Sequence, residues 1–261
     1  MGVVVLGAGG RLGQLLRPRY PGAAAWLTRS DVDLTDAQAL RGALRGADAV
    51  LCLAGVTPGQ PAPMQHNVDL AVHALDAAHA VGAGRVFLFS SAAVYGRQPD
   101  ALQPLREDGP TGPLIDYGTA KLAMERAAAA HRHPNTVLRL GNVAGADAIL
   151  AAWRPGFSLD TLDDGTTPRR SYIGPSKLAQ VLSILAQADN VPPLMNVAAP
   201  GAVQMGALLD AADLAWTPRP ATDQTVANVT FDTTRLARCV PFAPQDSTAQ
   251  GIVADWQGKA P

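Results

Sequence analysis

Val3-Val4-Val5-Leu6-Gly7-Ala8-Gly9-Gly10-Arg11-Leu12-Gly13 is the stretch that decides the fold. Four apolar residues that stop at glycine read as a short buried strand, and Gly10 to Leu16 reads as a turn opening a helix that ends near Pro18. Glycines at this place let the backbone turn tightly. They also let a pyrophosphate approach the helix amino terminus, where unpaired N–H groups and the helix dipole favour anions. The spacing is G-x-x-G-x-x-G on Gly7, Gly10 and Gly13. Leu12 stands where the commoner G-x-G-x-x-G pattern has its third glycine. A strand–helix turn that merely tolerates glycine is the alternative, and the apolar run in front favours a dinucleotide turn.

Working outward, strand and helix signals alternate. Strands are expected at Ala24 to Thr28, Ala49 to Leu53, Arg85 to Phe89 and Thr136 to Leu140. Helices are expected at Thr35 to Leu44 (with Thr35 as N-cap), Met64 to Val81 (with Val68, Val72, Leu75 and Ala78 on one face) and Tyr117 to His131. This alternation predicts an α/β chain with a doubly wound, Rossmann-like parallel sheet. After Gly141 prolines and glycines interrupt the pattern, until a helix at Pro175 to Ala188 and a strand at Leu194 to Val197 return to the sheet. The expected division is therefore a nucleotide-binding domain over 1–145, rejoined by 172–198, and a small substrate-binding lobe from 146–171 and 199–261.

The 261 residues suit that architecture, and 48% hydrophobic residues can bury a full core. A formal charge of -1 with interspersed signs gives no electrostatic grip on nucleic acid or an anionic membrane. Two cysteines cannot make a disulfide framework, and Cys52 reads as a buried hydrophobe. No signal-peptide or membrane-spanning pattern is read, so the cytoplasm is the expected address. No metal is expected. The histidines at 66, 73, 79, 131 and 133 lack cysteine or paired-carboxylate spacing, and the four tryptophans read as packing residues.

Tyr117-Gly118-Thr119-Ala120-Lys121 puts a phenol and an ammonium on one helical face at i and i+4. A free tyrosine has a pKa of about 10 and is a poor base at neutral pH, and a neighbouring cation favours its phenolate. Lys121 is thus expected to make Tyr117 a usable proton donor or acceptor. Ser91 follows a predicted strand, at the sheet edge where open α/β sheets bind ligands. Ser91, Tyr117 and Lys121 are the expected catalytic residues.

At these residues the chain resembles the extended short-chain dehydrogenase/reductases, the NAD-dependent epimerase/dehydratase family. Phe89 to Gly96 is similar to the family's SS-x-x-VYG segment, and Glu107 to Glu125 resembles its E-x-x-P…YG-x-x-K-x-x-x-E block. Leu138 to Gly145 resembles LR-x-x-NV-x-G, and Asn67-Val68 resembles the NV that opens the long helix. The resemblance implies hydride exchange between a nicotinamide and a substrate carbon. Tyr117 would move the hydroxyl proton, Lys121 would tune it and hold the nicotinamide ribose, and Ser91 would orient the oxygen.

The expected cofactor contacts are Gly7, Gly10, Arg11, Leu12, Gly13, Arg29, Asp33, Leu34, Leu53, Ala54, Gly55, Asn67, Tyr117, Lys121, Asn142 and Val143. Within them, Asp33-Leu34 resembles the family's adenine-contacting pair. The second strand ends without an acid until Asp31, whereas Arg29 and Arg11 can reach a 2′-phosphate, so NADP(H) is expected over NAD. The stretch Leu27 to Asp36 also resembles the dTDP-4-dehydrorhamnose reductase branch.

Substrate contacts are expected from Ser91, Ala92, Asn142 and Arg170. Asp164 to Ile173 resembles the DGT-x-x-RD-[YF]-I segment, whose arginine binds a sugar nucleotide's diphosphate and here is Arg170. The chain departs from the family at Ser171 and Lys177, where the family has Asp, and in a short segment between Gly145 and Gly165. Ala92 and Ala93 replace the acidic residue of the dehydratases, which demotes dehydration. The leading expectation is an epimerase or reductase of a nucleotide-linked sugar. A reductase of a smaller carbonyl compound and a non-catalytic NAD(P)-sensing protein are the alternatives. A homodimer through helices 64–81 and 117–131 is what the resemblance implies.

Overall fold

The computed structural model describes residues 2–97 and 103–259, so residues 1, 98–102, 260 and 261 of the expected division lie outside the described residues. Strands β1 (Val3–Leu6), β2 (Ala24–Leu27), β3 (Ala49–Cys52), β4 (Arg85–Ser91) and β5 (Asn135–Leu140) alternate with helices α1 (Arg11–Leu16), α2 (Ala37–Leu44), α3 (His66–Val81) and α4 (Asp116–Ala130). Short strands β6 (Asn142–Val143), β7 (Ser158–Thr161), β8 (Arg169–Arg170) and β9 (Tyr172–Ile173) follow, then α5 (Pro175–Gln187) and β10 (Leu194–Val197). The remainder holds β11 (Val203–Gln204), α6 (Met205–Ala211), β12 (Thr217–Pro220), β13 (Asn228–Val229), α7 (Thr234–Ala237) and α8 (Ala249–Trp256).

The main sheet runs β10-β5-β4-β3-β1-β2, and every neighbouring pair is parallel. Its central strands are buried on both faces, which is why they read as unbroken apolar runs rather than alternating ones. One face is covered by α2, α3 and α4 and the other by α5. Strand order reverses between β1 and β3. In open parallel sheets ligands bind at the carboxyl edge of such a switch point, and the glycine turn lies at that edge.

Two glycines make that turn. Gly7 has φ +80°, and a Cβ on it would lie 2.6 Å from the Ala54 nitrogen; one on Gly13 would lie 2.5 Å from the Ala8 oxygen. α1 therefore packs closer to the β1 end than any side chain allows. Gly13→Ala is expected to destabilise the chain by about 1–3 kcal/mol in urea unfolding. Gly9→Ala, whose Cβ would meet only the Thr28 side chain at 3.7 Å, should be near neutral. Equal midpoints for the two variants would refute this account of the turn.

Three local expectations need correction. The N-cap of α2 is Asp36, whose carboxylate accepts from the Gln38 and Ala39 N–H groups; the Thr35 hydroxyl donates to Asp33 instead. An ionised carboxylate is a stronger acceptor for the helix's unpaired donors. In α3 the buried face carries Asn67, Ala71, Ala74 and Ala78 beside Leu75, while Val68 and Val72 are half-buried. Small residues let α3 settle between α2 and α4. Finally, the tail does not all belong to the lobe: Leu236 and Val240 are buried with α5 and the main sheet.

The lobe has its own core, with Ile149, Leu150, Leu159, Leu208, Leu209, Ile252 and Val253. Asp255 on α8 accepts from the Ser176 and Lys177 N–H groups and so caps α5. Lys177 donates to the Pro241 carbonyl and pairs with Asp246, which holds the tail down where the family's Asp would repel it. Among the described residues no helix is long and apolar enough to cross a membrane.

Candidate active site

The carboxyl edge gathers residues that are far apart in sequence. β4 ends at Ser91, which caps a single turn of 3-10 helix by accepting from the Ala93 N–H at 3.2 Å. Gly118 lets α4 close onto that turn: a Cβ there would lie 2.5 Å from the Ala93 oxygen and 2.9 Å from Pro113. The approach brings the Tyr117 hydroxyl to the Ser91 side chain, which acts on the phenol. One turn along α4, Lys121 is buried and its Nζ donates to the Phe89 carbonyl at 2.8 Å. That Nζ lies 5.8 Å from the Tyr117 ring centroid. Ser91, Tyr117 and Lys121 thus converge.

Their electrostatics differ from the expectation. Burial pushes the Tyr117 phenol above its ordinary value and the Ser91 side chain only partly offsets this. Lys121 is pulled down to about 8 by burial, against the nearby Cys52 and Glu125. The lowering of Tyr117 by Lys121 is therefore not what the structure has. Removal from water is the largest influence on both the phenol and the ammonium.

Behind them, Gly55 leaves room for two side chains: a Cβ would fall 2.8 Å from Asn67 Oδ1 and 3.1 Å from Lys121 Nζ. Asn67 itself is buried, clamping Val56 through both its N–H and its carbonyl. It ties α3 to the loop after β3, so its part at the edge is to shape the Leu53-Ala54-Gly55 wall. Leu34 is buried in the core under α2, while the exposed Asp33 accepts from the Thr35 N–H and hydroxyl. Arg11 and Arg29 are both exposed. The Asp31 carboxylate folds back to accept from the Thr28 N–H and hydroxyl, so an acid does sit at the end of β2.

A dinucleotide suits the glycine turn. Gly9 and Gly10 are exposed, Gly10 caps α1 with no side chain over the first-turn N–H groups, and that turn carries no acidic residue. A pyrophosphate can reach those donors directly.

On the lobe side, Asn142 and Val143 pair with β9. Tyr172 donates to Asp147 at 2.7 Å. Arg170 is half-buried, and its guanidinium donates to the Arg169 and Val226 carbonyls. Burial pulls it below its ordinary value, with the Tyr172 hydroxyl the only group opposing that. Ser171 donates to the Gly201 carbonyl and accepts from the Phe231 N–H. A carboxylate could accept but not donate there, which accounts for the serine. A cavity of about 590 Å³ at the opposite, amino edge, lined in part by Tyr20, Asp48 and Arg85, includes none of the expected site residues. Among the described residues no group of three or more His, Cys, Asp and Glu side chains is placed to hold a metal.

Sequence reasoning missed the layer beneath. Ser90 donates to Glu125 at 2.5 Å, and Arg139 makes a bidentate pair with Glu125, at 2.7 Å for its closest contact. The Arg139 guanidinium lies 4.7 Å from the Tyr95 ring centroid. Tyr95 donates to Asn196, whose N–H donates to Glu107. The signal was Arg139 itself, a charge inside an otherwise apolar strand run that must be buried on both faces.

A family model described as NAD dependent epimerase/dehydratase family matches residues 3–158. The chain belongs to that family. Its fold recurs in DesIV, a dTDP-glucose 4,6-dehydratase from Streptomyces venezuelae seen with NAD and TYD bound. The TM-score is 0.75 and the identity 20%, over 98% of this chain and 96% of that one. RMD from Pseudomonas aeruginosa complexed with NADPH gives a TM-score of 0.74 at 21% identity, over 99% of both chains. At such identity these likenesses concern the fold. A UDP-glucose 4-epimerase of Azospirillum brasilense is 41% identical over 87 residues, 32% of this chain and 24% of that protein. A dTDP-4-dehydrorhamnose reductase of Streptomyces griseus is 37% identical over 135 residues, 48% of this chain and 43% of the other. The matched stretches thus span less than half the length of these curated relatives.

Proposed function

We propose that this family member is an NAD(P)-dependent enzyme transferring hydride at a carbinol or keto carbon of a nucleotide-linked sugar, as an epimerase or reductase. The observation that carries this reading is the convergence of Ser91 and Tyr117 with the Lys121 ammonium behind them, at the sheet edge beside the glycine turn. Gly7, Gly10, Arg11, Leu12 and Gly13 would hold the pyrophosphate, and Leu53, Ala54, Gly55 and Asn67 would line the wall. Lys121 would hold the ribose, with Asn142 and Val143 at the ring end. The bound nicotinamide supplies the hydride donor or acceptor. Tyr117 gives or takes the proton at the substrate oxygen, and the Ser91 hydroxyl holds that oxygen. With Ala92 and Ala93 next to Ser91, no acid stands there for dehydration. Arg170, whose guanidinium donates to backbone carbonyls and among the described residues pairs with no carboxylate, suits a diphosphate.

The cofactor in this reading is NADP(H). Arg29 and Arg11 are exposed and the Asp31 carboxylate is engaged with Thr28. A second reading, a reductase of a smaller carbonyl compound, is favoured by residues 146–157, where Ile149 and Leu150 pack into the lobe core rather than standing over the cleft. A homodimer would use α3 and α4, which lie side by side with Val68 and Val72 half-buried.

Titration with NADPH and NADH separately tests the cofactor: tighter NADPH binding is expected, lost in Arg29→Ala, and a preference for NADH would overturn it. A thermal-shift series with UDP-, dTDP- and GDP-sugars tests the substrate. Stabilisation by one of them is expected, and none would leave the smaller carbonyl compound as the reading.

A further inference from the structure

We propose that Glu125 is a positioning residue for the candidate active site, joining the helix of Tyr117 and Lys121 to the strand ends of Ser91 and Asn142 and holding a negative charge one turn below the Lys121 ammonium. This rests on the assignment of Tyr117 and Lys121 under Proposed function. Three elements bring those residues to the edge, and Glu125 touches all three. It sits on α4, four residues after Lys121. Its Oε1 takes the Ser90 hydroxyl from β4, one residue before Ser91. Both its oxygens take the Arg139 guanidinium from β5, three residues before Asn142.

Strands in one sheet are fixed to each other by backbone pairing, but a covering helix is not. Its register along the strands depends on side chains. Apolar contacts alone tolerate sliding, whereas a bidentate carboxylate–guanidinium pair fixes both distance and orientation. The network is closed. Glu107 accepts from the Asn196 N–H and pairs with Arg235, and the Tyr95 ring covers Arg139. Burying it is costly unless every member is satisfied.

The charge has a second consequence. The groups facing Lys121 are Tyr117 and Glu125 on its own helix, the Cys52 thiol from β3 and the Phe89 carbonyl from β4. Burial raises Cys52 to about 11, so it is neutral at neutral pH and Glu125 is the standing negative charge. Arg139 compensates it from the far side.

The test reads Lys121 directly. The chain has three lysines, at 121, 177 and 259, so lysine side-chain signals of the isotope-labelled full chain can be followed by NMR through a pH titration. Glu125→Gln should lower the Lys121 midpoint while leaving those of Lys177 and Lys259 in place. Glu125→Asp keeps the charge that Arg139 requires but withdraws it by one methylene, and should lower the midpoint by less. A Lys121 midpoint unmoved in whichever variant folds overturns the proposal. So does failure of both to fold, since the residue would then be structural only. NADPH binding is measured beside this. If Lys121 responds as expected and neither NADPH nor NADH binds, the proposed function fails and the role of Glu125 in setting Lys121 stands.

Discussion

Tyr117→Phe should abolish turnover while leaving the fold and the affinity for NADPH in place. The substitution removes one oxygen. The ring keeps its packing, and Ser91 keeps its hydrogen bond with the Ala93 N–H. A single hydrogen bond is worth about 1 kcal/mol, so unfolding should shift by no more than that. Turnover should fall by about 10³-fold, because proton transfer to or from the substrate oxygen has no other donor of the right kind beside Ser91. The state of the phenol also sets a direction. Burial raises Tyr117, so at neutral pH it is protonated and poised as an acid, which suits reduction of a carbonyl. In that direction the wild-type rate should be level through neutral pH. It should fall as pH passes about 8, where Lys121 loses its charge. The measurement is a stopped assay with whichever sugar nucleotide or small carbonyl compound the thermal-shift series selects, run on both proteins across pH. A Phe variant that keeps a tenth or more of wild-type turnover removes Tyr117 from the chemistry.

How much of this was legible in the letters follows from what each letter must do. The glycine turn and apolar strand runs were plain because their constraint is local: Gly7 and Gly13 are demanded by a backbone a few residues away or just past the adjacent strand. Ser91, Tyr117 and Lys121 were legible for the same reason, as spacing on a strand end and a helix face. The inward face of α3 was misread because hydrophobicity favours valines, whereas close packing between two helices selects Asn67, Ala71, Ala74 and Ala78. The Ser90–Glu125–Arg139 layer stayed hidden because a charged residue is ordinarily a surface residue. Only the partner, which lies on another element, makes its burial tolerable. The sense of the Tyr117 shift was also out of reach, since spacing reports the neighbouring cation but not the loss of water around both groups.

Lys121→Met should make the chain more stable and leave it without turnover. The lysine is buried, and its titration drops from 10.5 in water to about 8 in the fold. A group held down in this way binds its proton less readily when folded than when unfolded. Below pH 8 it is charged in both states and the fold bears the whole penalty. Between about 8 and 10.5 the unfolded chain holds more protons, so stability rises with pH through that window; above it the penalty is gone. The shift corresponds to about 3 kcal/mol at neutral pH. Methionine matches the lysine stem in length and fills the same space, but forfeits the bond to the Phe89 carbonyl, worth about 1 kcal/mol. A net gain of about 2 kcal/mol at pH 7, shrinking toward zero near pH 10, is expected from urea unfolding at several pH values. A residue that weakens the fold where it stands fits the role proposed for Lys121 beside the phenol and the ribose. If the methionine variant is no more stable than wild type at pH 7, then Lys121 is not held at the site against a desolvation cost, and this argument for its function is lost.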